Sequence, residues 1–95
     1  MTLNKDNIYV KITTEADIKK AKKILISNDE EIIEPFFDLT DSDIKGVHYL
    51  IYSQSINKWW INWHFSALKY KVTFSDLETI LINNKNTTYD INRIN

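Results

Sequence analysis

The sequence predicts an α+β domain: an antiparallel sheet of about four strands with two helices packed on one face, in the order β-α-β-β-β-α. Three observations carry that prediction. Residues 7–12, 47–66 and 69–74 alternate apolar and polar side chains with the period of two that a half-buried strand needs. The stretches after Thr14 and after Ser75 instead put their apolar residues on one stripe at helical spacing. A chain of 95 residues and 11.3 kDa is too short to divide its core between two domains.

Each element has a local reason. Ile8, Val10 and Ile12 alternate with Tyr9 and Lys11 as the first strand. Thr14-Glu-Ala-Asp17 reads as a capping box, in which the threonine oxygen and the aspartate satisfy backbone N–H groups at the start of a helix. In that helix Ile18, Ala21, Ile24 and Leu25 share one face, while Lys19, Lys20 and Lys23 form the solvated one. Ser27-Asn-Asp ends the periodicity. Ile32, Ile33, Pro35, Phe36, Phe37 and Leu39 follow as a loop or short helical turn that closes near Gly46.

Val47 to Ser66 reads as a hairpin around a three-residue loop, Ser55-Ile-Asn57, with Asn57 in the left-handed conformation. Placing Gln54 opposite Lys58 pairs Val47 with Phe65, Tyr49 with Trp63 and Ile51 with Ile61 on a fully apolar face. The other face then carries His48 with His64, Leu50 with Asn62, and Tyr52 with Trp60. Trp59 and Trp63 are assigned to the core. Tyr70, Val72 and Phe74 mark a fourth strand that returns beside the hairpin through the Ser66-Ala-Leu corner. Ser75-Asp-Leu-Glu78 is read as a second capping box, leading into a short helix with Leu77, Ile80 and Leu81 inward. Residues 1–84 form the domain, and 85–95 are a polar tail expected to fray.

Composition narrows the chemistry. With no Cys there are no disulfides, thiolate metal sites or cysteine nucleophile. One Gly and one Arg allow neither a glycine-rich phosphate cradle nor an arginine clamp. The polar start and the lack of a long apolar run predict a cytoplasmic protein without a membrane partner. Ile, Lys and Asn supply 36 of the 95 residues, which points to AT-rich coding DNA and hence to a low-GC bacterium or its phage. The net charge of −1 conceals a segregation, for seven carboxylates and no base lie between Asp29 and Asp43.

Candidate chemistry is weighed against plainer readings. His48 and His64, if they faced one another, would form an acid/base pair for RNA cleavage or part of a metal site; a half-buried structural role is preferred. Asp41-Ser-Asp43 matches only part of a calcium loop, so neither metal nor cofactor is expected. Trp60 and Tyr52 form an aromatic patch suited to a protein interface, to base stacking, or to burial under the acidic loop. The acidic stretch is either a solvated loop or an imitation of a run of phosphates that docks in a cationic channel.

The cysteine-free composition, the acid-rich insertion at Asp29–Asp43 and the hairpin bearing Trp59, Trp60 and Trp63 resemble those of small phage-encoded anti-defence proteins, in particular anti-CRISPR inhibitors. The likeness runs from Ile8 to Asn84 and is one of size, architecture and composition. It implies a non-catalytic inhibitor in the cytoplasm of a bacterial host. Its partner would be an RNA-guided nuclease of type VI or type II with its guide RNA, whose guide or target handling it obstructs. The residues themselves supply two surfaces for such a partner: Glu34, Phe36, Phe37, Asp38, Asp41 and Asp43 in the acidic segment, and His48, Tyr52, Lys58, Trp60 and His64 on the hairpin. The alternative is a small single-stranded RNA-binding module using Lys58, Trp60, Tyr52, Lys69 and Lys71.

Overall fold

A computed structural model describes residues 3–64 and 69–94, with side chains as far as Asn84. After a 3-10 turn at Lys5–Asn7 come β1 (Ile8–Ile12), α1 (Glu15–Ser27), a second 3-10 turn (Glu34–Phe37), β2 (His48–Ser53), β3 (Lys58–Asn62), β4 (Tyr70–Val72) and α2 (Phe74–Ile94). The α+β class with four strands and two helices therefore holds. The sheet is mixed, however, not antiparallel: its order is β3-β2-β1-β4, and β4 runs parallel to β1.

The place beside the hairpin that was expected for β4 is filled by other residues. Trp59 donates its amide to the Glu31 carbonyl and accepts from the Ile33 amide, both at 2.9 Å, so Ile32 makes a parallel bridge on the outer edge of β3. β4 instead joins the free edge of β1, where Val72 lies opposite Val10 and both point into the core. The Ser66-Ala-Leu corner lies outside the described residues.

The hairpin register also differs by one residue. Ser53 pairs with Lys58, which leaves a four-residue loop, Gln54–Asn57. Asn57 is left-handed as expected, at φ 57°. Because side chains alternate strictly, one added loop residue moves the whole of β3 to the opposite face relative to β2. Leu50 now pairs with Ile61 and Tyr52 with Trp59 on the core side, while Ile51 pairs with Trp60 and Tyr49 with Asn62 on the other. β1 decides the matter, since Val10, held inward, sits opposite Leu50. The expected partner of Val47, Phe65, is outside the described residues.

Both helices pack on the core face. Ile18, Ala21, Ile24 and Leu25 of α1 and Leu77, Ile80 and Leu81 of α2 join Ile8, Val10, Ile12, Leu50, Tyr52, Trp59, Ile61 and Val72 in one cluster. The first capping box forms as read: the Asp17 amide donates to Thr14 Oγ1, and Asp17 Oδ2 accepts from the Thr13 and Thr14 amides. α1 ends in a Schellman arrangement, with Asp29 at φ 59° and the Asp29 and Glu30 amides donating to the Ile26 and Leu25 carbonyls. The second box is displaced toward the N-terminus. Thr73 and Asp76 form it, not Ser75 and Glu78, because the Asp76 amide donates to Thr73 Oγ1 and the Thr73 amide to Asp76 Oδ2, each at 3.0 Å. α2 is also longer than the short helix expected; the side chains of the predicted tail lie outside the described set.

Candidate binding face of the sheet

The observed register distributes the aromatic residues differently between the two faces. Tyr52 and Trp59 lie in the core, their rings 5.3 Å apart, and the Tyr52 hydroxyl donates to Asn57 Oδ1. Lys5 Nζ sits 4.7 Å from the Tyr52 ring centroid and 3.2 Å from Glu30 Oε1. That same oxygen accepts the Trp59 indole N–H at 2.9 Å. Tyr52 is therefore not on the outer face, and it lies opposite Trp59 instead of Trp60. His48 is buried and His64 exposed. The register that pairs Tyr49 with Asn62 does not set them opposite one another, and the Trp63 ring lies 6.2 Å from that of His48 and 6.1 Å from that of His64. The direct cross-strand pairing of the two histidines expected from the sequence is thus not formed. Trp63, assigned to the core, is 65% exposed.

The acidic segment is largely engaged by the fold itself. Glu30 holds Trp59 and Lys5. Asp41 Oδ1 accepts the Glu15 amide at 2.7 Å, and Glu15 Oε1 accepts the Asp41 amide, which ties the loop to the start of α1. Asp43 Oδ2 accepts from the Thr40 amide and hydroxyl, and these bonds hold its carboxyl below the ordinary range. Glu34 and Asp38 both approach Lys22, at 3.4 and 3.7 Å, with their side chains largely exposed. Phe37 is buried in the core, while Phe36 is half-buried with its ring edge-to-face on Trp60, 5.7 Å away.

The sheet face turned away from the helices has a different character. The register brings Lys71, Tyr9, Ile51 and Trp60 into one row across all four strands, and Lys11, Tyr49 and Asn62 into the next; Ser53 and Lys58 make a third. No carboxylate occupies any of these positions. The Tyr9 and Tyr49 rings meet edge-to-face at 5.3 Å. With Lys11, Val47 and Lys71 they line an open groove of about 220 Å³. Among the described residues, Lys11, Lys58 and Lys71 have no hydrogen-bond or ion-pair partner, as is also true of Lys20, Lys23 and Lys45 elsewhere on the surface, whereas Lys5, Lys19 and Lys22 are all paired with carboxylates. Lys69 donates to the Asp6 carbonyl at 2.6 Å.

Of the residues proposed from sequence, Trp60, Lys58 and Lys71 thus share one surface. Tyr9, Lys11 and Tyr49 join them there and were missed. Their signal was present in the alternation of β1, where Tyr9 and Lys11 are the off-core positions, but without the β1–β2 register nothing linked them to Trp60. Among the described residues, no group of three or more His, Asp or Glu is placed to hold a metal, and no helix is long and apolar enough to cross a membrane. No protein-family model, curated protein or solved structure matches the chain.

Proposed function

We propose that the protein is a non-catalytic binding module whose working surface is the sheet face turned away from the helices, and that this face receives single-stranded RNA, free or displayed by a nucleoprotein. One observation carries the reading: aromatic rings and unpaired lysines are interleaved across the strands with no carboxylate among them. Single-strand binders combine cationic tracking of the backbone with aromatic platforms on which any base can stack. The acidic character of the chain resides elsewhere, in the loop that braces α1 and β3. Titrating uridine- and adenine-rich oligonucleotides at low salt, with Trp63→Phe as background, should quench Trp60 fluorescence. Trp60→Leu should abolish the response, and a signal unmoved by saturating oligonucleotide would dispose of the reading.

A second reading keeps the inhibitor role that the resemblance implies, and Trp63 favours it. A tryptophan left 65% exposed at the end of the sheet is the kind of side chain that dominates protein interface hot spots. In this reading Trp63 meets the protein part of an RNA-guided nuclease while the sheet face meets its guide RNA. Trp63→Ser should then weaken inhibition of target cleavage without weakening oligonucleotide binding. Glu34→Gln with Asp38→Asn should leave inhibition intact, since both carboxylates approach Lys22 of α1. Full cleavage by both type II and type VI enzymes at saturating protein would exclude the role.

A further inference from the structure

We infer that the groove lined by Tyr9, Lys11, Val47, Tyr49 and Lys71 is a nucleotide subsite, in which Lys11 and Lys71 hold a phosphate and the tyrosine pair with Val47 receives the attached base. This rests on the reading of the sheet face as the working surface and assigns a ligand to one part of it. At about 220 Å³ the groove is smaller than the roughly 300–1,000 Å³ of a pocket that encloses a drug-sized molecule, so it suits one ring with its adjoining anion. Its chemistry is two-sided: aromatic and aliphatic walls adjoin two ammonium groups that, among the described residues, have no counter-charge.

The subsite also has a direction. Tyr9 belongs to the groove and to the row that continues through Ile51 to Trp60 on β3. Strands lie about 4.8 Å apart, so the row from β4 to β3 spans roughly 14 Å. That distance suits the two or three bases that a four-stranded face typically stacks. The strand is anchored by phosphate at the Lys11/Lys71 end and stacked on Trp60 at the other.

The test is a ladder of oligouridylates of one to eight nucleotides, titrated at several salt concentrations. Affinity should rise steeply to about three nucleotides and then flatten. The double variant Lys11→Gln/Lys71→Gln, its fold checked by circular dichroism and thermal midpoint, should lower the slope of log affinity against log salt by about 0.7, the value for one phosphate on a single strand. Trp60→Ala should weaken binding roughly tenfold and leave that slope unchanged. An unchanged slope in the folded double variant, with Trp60→Ala still weakened, would overturn the subsite while the sheet-face reading stands. If neither variant differs from the wild type, or no oligonucleotide binds, both fall. Displacement of the oligonucleotide by polyglutamate at equal charge concentration would also overturn the subsite, because the groove would then select charge alone.

Discussion

Glu30 shows how much one side chain can organise. The Schellman arrangement at the end of α1, with Asp29 in the left-handed region, turns the chain so that Glu30 meets the indole of Trp59 and the ammonium of Lys5. Trp59, fully buried, would otherwise carry an unsatisfied N–H into the core. Hydrogen bonds to a charged group contribute about 1.5–3 kcal/mol, so Trp59→Phe should lower stability by at least that much in urea denaturation. Trp60→Phe, on the half-buried outer face, should cost less than about 1 kcal/mol. Equal losses at the two neighbours would contradict the assignment of opposite faces. The sequence shows two adjacent tryptophans; only the register says which is structural.

The four-residue hairpin loop and the clip formed by residues 31–33 are the elements on which the sheet face depends. Asn57 serves the loop twice, by adopting φ 57° and by accepting the Tyr52 hydroxyl. A β-branched residue there is strained and leaves that hydroxyl unsatisfied, so Asn57→Val should destabilise by about 2 kcal/mol. The clip covers the edge of β3, which would otherwise present unpaired backbone groups to other chains. Ile33→Pro removes the amide that bonds the Trp59 carbonyl and loosens the reciprocal bond from the Trp59 amide to Glu31. Hydrogen exchange at the Trp59 amide should therefore accelerate while exchange in β1 stays slow. Both elements were only partly legible. The left-handed asparagine could be read because its cause is local, whereas the clip joins residues 27 positions apart (32 and 59) and leaves no periodic trace.

Across the whole molecule, charge is sorted by task. Carboxylates cap helices and fasten the loop, while Lys11, Lys58 and Lys71 occupy the sheet face turned away from the helices, at positions that hold no carboxylate. Three aspartates give this sorting a pH signature. Burial pushes the Asp17 carboxyl up, but hydrogen bonds from Thr13 and Thr14 outweigh it and leave the group below its ordinary value. Thr40 does the same for Asp43, and Thr73 for Asp76, through backbone and hydroxyl bonds. A carboxyl depressed by folding stabilises the native state above its unfolded value of about 3.9, and that contribution is lost as pH falls through the lower native value. The thermal midpoint should accordingly hold between about pH 6 and pH 5 and fall below about pH 4. The double variant Asp17→Asn/Asp76→Asn should start lower and fall less, so that the two curves converge in acid. Parallel curves would show that the caps do not carry the dependence.

What the sequence determined by itself is what short-range physics controls: the α+β class, the Thr14/Asp17 box, the inward stripes of both helices and the left-handed Asn57. Each follows from residues within about one or two turns of one another. The strand neighbours and the identity of the outer face were decided only by tertiary structure. β2 carries apolar side chains at both parities, Leu50 and Tyr52 on one side and Tyr49 and Ile51 on the other, so its pattern fits either orientation. Pairing with β1 selects one of them, because Ile8, Val10 and Ile12 have to be covered by the helices. That choice turns Tyr9, Tyr49 and Trp60 outward together and so creates the proposed binding face.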